Sequence, residues 1–250
     1  NAAHHEQNFG TEIEAIRLSE DTGDENDDFI TKQADQTIEA TLVERLSQSS
    51  RLYGRINGGD WQNITDTIND NTDIRWEVDL IEGAGRIELA ISSDGRAPQD
   101  DGSNLEGKIA SESYVLDTSI PDAPEVELEN DTGDEDDDGL TNDGSIKLLE
   151  DIEQDEILEY RVKLEDGDFG EWTSEYSTPE VNGEYQIQVR VTDLAGNSSE
   201  VVTISYTLDI QAAEAQTLEL AEDTGDNDND DITSARTVNV PGVESDATWE

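Results

Sequence analysis

An acidic motif of eleven residues occurs three times in the chain and constrains its fold more than any other feature. The copies are Asp21–Thr31 (DTGDENDDFIT), Asp131–Thr141 (DTGDEDDDGLT) and Asp223–Thr233 (DTGDNDNDDIT), and they begin 110 and 92 residues apart. Each copy opens with Asp-Thr-Gly-Asp, has Asp at its eighth position and ends on an aliphatic residue followed by Thr. Self-similarity at a nearly fixed spacing indicates tandem structural repeats, each with one acidic loop.

A second motif marks where each repeat ends. Ser113–Asp117 (SYVLD) matches Ser205–Asp209 (SYTLD). Together with Pro121 and Pro124, it predicts repeat one over residues 13–122 and repeat two over residues 123–212.

The two ends of the chain are interpreted by the same marks. Residues 213–250 begin a third repeat that is too short to be complete, and residues 1–12 are a linker or the end of a preceding repeat. There is no initiator Met and no signal peptide, so we expect an interior piece of a longer chain.

Hydrophobic residues alternate with polar ones in several short runs, which is the two-residue period of β-strands. Gly, Asn and Asp clusters separate these runs, and no segment has the apolar stripe of a helix. Several such strands in about 90 residues predict an all-β fold of tandem antiparallel β-sandwiches, the last of them truncated. The clearest runs are Trp76/Val78/Leu80, Ile87/Leu89/Ile91, Tyr185/Ile187/Val189/Val191 and Val202/Ile204/Tyr206/Leu208.

Charge and composition exclude several classes of function. The chain has 64 Asp and Glu against 14 Lys and Arg, a formal net charge of -50. Such a polyanion repels nucleic acid and anionic membranes, and no apolar run approaches the roughly 20 residues that span a bilayer. The chain has no Cys, and its two histidines, His4 and His5, are adjacent near its start, so thiolate and Ser-His catalysis are not expected. We therefore expect no nucleic-acid partner, no membrane insertion and no enzyme.

The acidic loops favour a bound cation. They hold 16 of the 64 acidic residues in 33 positions. Two like charges about 4 Å apart repel by roughly 1 kcal/mol in water and about 4 kcal/mol at an effective dielectric constant of 20. Calcium takes about 6–8 oxygen ligands and suits such loops better than magnesium, which tolerates fewer protein ligands. The alternative is that the loops are solvated acidic turns on a salt-adapted surface.

The predicted calcium ligands are the first, fourth, sixth and eighth residues of each loop and the Asp that closes each complete repeat. A sandwich with an odd number of strands starts and ends at opposite poles. The loop after the first strand should therefore lie beside the closing Asp, where the next repeat begins. The residues are Asp21, Asp24, Asn26 and Asp28; Asp131, Asp134, Asp136 and Asp138; Asp223, Asp226, Asp228 and Asp230; and the closing Asp117 and Asp209.

Other interpretations of these residues are weaker. The second loop begins like an EF-hand from Asp134, but its twelfth position is Ser145 and its flanks are typical of strands. Asp-Thr-Gly is also the catalytic triplet of aspartic proteases, but here polar residues precede it and carboxylates follow it. Trp61 lies in a Gly-Gly-Asp-Trp segment typical of a hairpin corner, with carbohydrate stacking as its alternative role.

With these motifs, repeat two resembles the bacterial Ig-like repeats of giant RTX-type and biofilm-associated surface adhesins. The resemblance rests on the Asp-Thr-Gly loop with Leu140–Asp143, on Thr192–Asn197 (TDLAGN) and on the closing Tyr206–Asp209, and Val243–Glu250 fits the start of a third such repeat. Repeat one departs from the pattern. It has Ile91–Gly95 (ISSDG) in place of TDLAGN and an insertion near residues 97–110.

The resemblance implies Ig-like sandwiches that act as rigid, calcium-bound spacers on a bacterial surface or in a secreted protein, with neighbouring repeats of the same chain as partners. Two other functions stay open. Repeat one and its insertion could bind a glycan or protein ligand, or the segment could be an accessory region of a secreted hydrolase.

Overall fold

The computed structural model describes residues 12–133, 135, 137–212, 218–224, 226 and 232–240. Regular structure in these residues is β, apart from one 3₁₀ turn at Thr65–Thr67. This confirms the all-β fold class that the two-residue periodicity predicts. Val243–Glu250, which fits the start of a third repeat, and the pair His4 and His5 lie outside the described residues.

Strands follow one another along the described chain. Those before residue 117 are β1 (Ile13–Leu18), β2 (Ile30–Thr31), β3 (Asp35–Leu42), β4 (Arg51–Ile56), β5 (Gln62–Asn63), β6 (Ile68–Asn69), β7 (Asp73–Asp79), β8 (Gly83–Ser92) and β9 (Ala110–Leu116). Those after it are β10 (Val126–Leu128), β11 (Leu140–Thr141), β12 (Ile146–Leu148), β13 (Glu156–Leu164), β14 (Gly183–Asp193), β15 (Val202–Leu208), β16 (Glu219–Leu220) and β17 (Val238–Asn239).

The chain divides into two compact units. The first comprises Asn1–Glu127, Lys147–Ser177 and Gln186–Ile204, and the second comprises Leu128–Ile146, Thr178–Tyr185 and Ser205–Glu250. The repeat boundaries drawn from the sequence motifs stay a prediction, because they follow similarity along the chain and this division follows packing.

In the first unit, residues 13–116 form a β-sandwich. One sheet has the strand order β1-β3-β7-β6 and the other has the order β2-β9-β8-β4-β5. Alternate residues of each strand point inward, as in β3, where Ile38, Ala40 and Leu42 are buried. They pack with Trp76 from β7 and with residues of the facing sheet, including Leu52, Ile87, Leu89 and Tyr114. The apolar alternation in the sequence therefore supplies both inner faces of the sandwich.

The sequence analysis predicted antiparallel strands throughout, but not every strand pair is antiparallel. The short strand β2 runs parallel to β9, with Ile30 opposite Val115 and Thr31 opposite Leu116. The reason is topological. The chain leaves β1 in one sheet, crosses through the acidic loop and joins the edge of the facing sheet while still running in the direction of β9.

In the second unit, Leu140 and Thr141 of β11 pair in parallel with Thr207 and Leu208 of β15. The rings of Tyr185 and Tyr206 stack with their centroids 5.6 Å apart, and both residues are buried. Their predicted place in the core, like that of Trp76, is confirmed. The strands β16 and β17 pair with each other, and Val238 of β17 remains 51% exposed.

Gly54 on β4 provides a test of the core of the first sandwich. A Cβ atom at this position would lie 2.8 Å from the Trp76 ring and 2.9 Å from Ile64 Cδ1. We expect Gly54→Ala to lower the free energy of unfolding by about 1–3 kcal/mol through overpacking. The matched control is Gly170→Ala, because its Cβ would meet only Val162 O at 3.8 Å. Urea unfolding of both variants measures the difference, and equal stabilities would contradict the packing described here.

Candidate metal centres

The base of each acidic loop is closed by the same pair of threonines. In the first loop, Thr31 Oγ1 donates to Glu20 O at 2.7 Å, and Lys32 N donates to Thr22 Oγ1 at 2.9 Å. Thr31 is fully buried. The same two bonds close the other loops. In the second loop, Thr141 Oγ1 donates to Asn130 O, and Asn142 N donates to Thr132 Oγ1. In the third loop, Thr233 Oγ1 donates to Glu222 O, and Ser234 N donates to Thr224 Oγ1. The second and eleventh residues of the motif thus have a structural role.

The buried amide of Gln36 fixes the chain that enters the first loop. Its Nε2 donates to Glu20 O at 2.8 Å and to Gln33 O at 3.0 Å, and its Oε1 accepts from Glu20 N at 3.0 Å. These bonds hold the backbone on both sides of Glu20, so the position of Asp21 is set by the start of β3 and not only by the loop.

The first Asp of each of the first two loops has one carboxylate oxygen engaged and one buried without a hydrogen bond. Asp21 Oδ2 accepts from Phe29 N at 3.1 Å, and Asp131 Oδ2 accepts from Gly139 N at 3.0 Å. Asp21 Oδ1 and Asp131 Oδ1 are buried and accept none. A buried acceptor without a partner costs about 1–3 kcal/mol, and more when it is charged. The same carboxylate oxygen is left without a hydrogen bond in both loops.

The surroundings of Asp21 disfavour its ionised form. Burial raises the pKa of Asp21 above its ordinary value of 3.8, although the hydrogen bond from the Phe29 amide lowers it. The negative charges of Asp28 and Asp27 raise that pKa further. The negative charge of Asp21 is therefore opposed by burial and by two neighbouring carboxylates.

The acidic loops lie beside the closing aspartates, as predicted. Asp117 N donates to Thr31 O at 2.9 Å, and Asp209 N donates to Thr141 O at 2.8 Å. These bonds extend the parallel pairings of β2 with β9 and of β11 with β15. The closing carboxylates are partly engaged. Asp117 Oδ1 accepts from Ser119 N, and Asp209 Oδ1 accepts from Asn182 Nδ2 and Gln211 N.

The other predicted ligands are not gathered to the same extent. Asp24, Asn26 and Asp28 are exposed, and Asp28 Oδ1 accepts from Ile30 N, as Asp138 Oδ1 accepts from Leu140 N. Asp226 is exposed, and Asp223 is half-buried at the start of the third loop. Among the described residues, no group of three His, Asp or Glu is arranged to hold a metal. Four predicted ligands lie outside the described residues: Asp134, Asp136, Asp228 and Asp230.

Asp27 contributes to the site although the sequence did not single it out. It acts on Asp21 electrostatically, but its counterparts in the other loops are Asp137 and Asn229, so it is not a constant feature of the motif. The paired threonines, in contrast, occur in all three loops, and that repetition was a signal for their structural role.

The insertion in repeat one is a loop held by hydrogen bonds among its own residues. Asn104 is buried, and its Nδ2 donates to Asp94 Oδ1 at 3.0 Å and to Ala97 O at 3.0 Å. The hydrogen bond from Asn104 and that from the Arg96 amide lower the pKa of Asp94. These polar groups form hydrogen bonds within the loop and stabilise its conformation.

The predicted hairpin corner at Trp61 is confirmed, because residues 57–61 connect β4 with β5. The guanidinium of Arg55 lies 4.3 Å from the centroid of the Trp61 ring. Trp172 is placed in a similar way, with Arg161 at 4.5 Å and Arg190 at 4.2 Å. These indoles therefore make cation–π contacts on their own sheets.

One part of the chain is similar to a known protein family. Residues 118–210 match the family model of a bacterial Ig-like domain. This range contains the second acidic loop, the TDLAGN segment and the closing Asp209. The match supports an Ig-like domain over most of the predicted repeat two.

Other comparisons add little. Among solved structures, the fibronectin(III)-like modules of CbhA from Clostridium thermocellum are similar with a TM-score of 0.39 and 12% identity, over 80% of this chain and 99% of that one. No curated protein matches the sequence. None of the described helical segments is long and apolar enough to cross a membrane.

Replacing Asp21 tests its raised pKa. An Asp with a raised pKa in the folded state destabilises that state when ionised, so the penalty is present at neutral pH and disappears as the pH falls through the raised pKa towards 3.8. In chelator at neutral pH, we expect Asp21→Asn to melt at the same temperature as wild type or higher. The advantage should vanish on acidification.

Thermal melting across that pH range, with the exposed Asp60→Asn as control, measures this effect. A variant that melts well below wild type in chelator at neutral pH would show that the Asp21 carboxylate is satisfied without a cation.

Proposed function

We propose that this chain is a non-enzymatic, calcium-stiffened spacer of a large bacterial extracellular protein, in which each cation binds at the end of one repeat and restricts the hinge to the next. The observation that carries the proposal is the buried, unbonded Oδ1 of Asp21 and of Asp131. Each lies in a loop that ends beside the closing Asp of its repeat.

Calcium fits the donors that these loops offer. A buried carboxylate oxygen among other carboxylates is stabilised by a hard cation, and the chain of net charge -50 supplies few cations of its own. Asp21 and Asp131 would each contribute Oδ1, and further oxygens would come from the acidic residues that follow and from the closing Asp117 and Asp209. When bound, the ion supplies positive charge that offsets both the burial of Asp21 and its repulsion by Asp27 and Asp28.

Placement of the loops gives the cation a mechanical role. Thr31 is bonded to Asp117, and the segment from Asp117 to Pro124 leads directly into the next strands. A cation that ties the loop to Asp117 removes conformational freedom from that segment, and a linker with less freedom transmits orientation better. The bacterial Ig-like match over residues 118–210 supports a role in a surface or secreted protein. The resemblance to adhesin repeats suggests the finer role of holding a distal binding domain away from the cell.

Calcium titration by calorimetry, followed by thermal melting, tests the proposal. Binding at about 100 times the dissociation constant stabilises the folded state by roughly 2.7 kcal/mol per site, so we expect calcium to raise Tm and chelator to reverse the rise. Asp21→Asn and Asp131→Asn should each lose part of the rise, whereas Asp60→Asn should keep all of it. A Tm that calcium does not change would contradict the proposal.

Small-angle scattering tests the mechanical part separately. We expect the maximum dimension of wild type to shorten or its distance distribution to broaden on chelation, because the hinges regain freedom. Asp21→Asn should show much of this change even with calcium present. If calcium raises Tm but scattering stays the same, the ion stabilises the repeats without stiffening the hinge.

A further inference from the structure

The TDLAGN segment forms a tight turn between β14 and β15. Gly196 N donates to Asp193 O at 3.1 Å, and the Asp193 carboxylate accepts from Asn197 N and Asn197 Nδ2, each at 2.8 Å. Gly196 has a φ of 85°, and Ala195 is 1% exposed. The turn is therefore fixed by its own hydrogen bonds and partly buried. The backbone carbonyls of Ala195 and Gly196 accept hydrogen bonds from groups outside the turn.

Those carbonyls bond to the first acidic loop, which precedes them by more than 160 residues. Thr22 Oγ1 donates to Ala195 O at 2.5 Å, and Lys32 Nζ donates to Gly196 O at 2.5 Å. Asn197 Nδ2 also donates to Asp117 O, the backbone of the closing Asp, at 2.8 Å. All of these residues belong to the first compact unit. Two donors thus join the turn to Thr22 and Lys32, and a third joins it to the closing Asp117, all of which the sequence analysis placed in repeat one.

Close backbone contact completes the fit. A Cβ atom on Gly23 would lie 2.1 Å from Leu194 O, and one on Gly196 would lie 3.0 Å from Gly23 N. The third residue of the Asp-Thr-Gly motif is thus Gly for two reasons: its φ is 105°, and the turn lies directly against its Cα. Gly133 provides the contrast, since its φ is 130° but a Cβ there would meet only Leu140 O at 3.8 Å.

We propose that the Thr22–Gly23–Lys32 surface is a docking site for a Thr-Asp-x-Ala-Gly-Asn turn of an adjoining Ig-like repeat, and that this pair of motifs sets the junction between repeats without a metal. The hydrogen-bond donors are a hydroxyl, an ammonium group and an amide, and none of these bonds needs a bound metal ion. The proposal is therefore independent of the calcium sites, although it uses Thr22 and Gly23 of the same loop.

The pair also gives the junction a chemical specificity. The turn offers two carbonyls and one amide in a fixed arrangement, and the loop offers a Gly that permits close approach. Repeat one has Ile91–Gly95 and its insertion in the equivalent place, so it does not present this turn. A junction that uses this surface requires a TDLAGN-type repeat on its C-terminal side, as repeat two provides.

Two matched pairs of variants test the docking site in the full chain, with chelator throughout. The chain has no Cys, so Asp60→Cys and Asp168→Cys place one spin label in each repeat, both at exposed hairpin positions of the first compact unit. The distribution of distances between the two spin labels is then measured for the doubly labelled chain and for the same chain carrying Gly23→Ala, Gly133→Ala, Lys32→Ala or Asn142→Ala. Each second member of a pair is the equivalent residue in the second loop.

We expect a narrower distribution for wild type, Gly133→Ala and Asn142→Ala than for Gly23→Ala and Lys32→Ala under these chelated conditions. If Gly23→Ala fails to fold, the Lys32 and Asn142 pair decides. Distributions of Gly23→Ala and Lys32→Ala that match their controls would overturn the proposal. Because calcium is absent from every sample, this outcome is separate from failure of the calcium sites.

Discussion

The parallel pairing that follows each of the first two acidic loops determines how the loop meets the end of its repeat. β2 and β11 are only two residues long, yet each is bonded to the last strand of its repeat and carries a buried Thr at its end. This pairing brings the crossing loop to the closing Asp. In both loops one carboxylate oxygen of the first Asp is buried without a hydrogen bond. The other, Oδ2, accepts a hydrogen bond from the backbone N–H eight residues further on.

The first acidic loop therefore takes part in two separate sets of contacts. Its carboxylate side buries a charge that burial and neighbouring aspartates oppose, and this charge is where a cation would bind. Its Thr-Gly side contacts the turn of the adjoining repeat through neutral groups and Lys32. Under the function proposed above, one short motif would combine stability that depends on a cation with an orientation that does not.

The sequence predicted the parts of the fold that depend on periodicity and repetition. Alternation identified the core positions of β7, β8 and β14, and counting strands placed the loops beside Asp117 and Asp209. It did not predict the parallel edge strands, because two residues are too few for a period to be visible. It also treated Asp24, Asn26 and Asp28 as equal to Asp21, since spacing does not reveal that Asp21 is half-buried while the others are exposed. The contact between the loop and the TDLAGN turn depends on tertiary packing, and neither motif alone indicates it.

The most direct test of the calcium sites is a crystal structure grown with calcium, with anomalous scattering used to identify the ion. We expect a calcium ion about 2.3–2.6 Å from Asp21 Oδ1 and another at the same distance from Asp131 Oδ1, the usual range for calcium–oxygen bonds. Asp21 and Asp131 carboxylates that face water or accept hydrogen bonds through both oxygens, with no ion beside them, would contradict it.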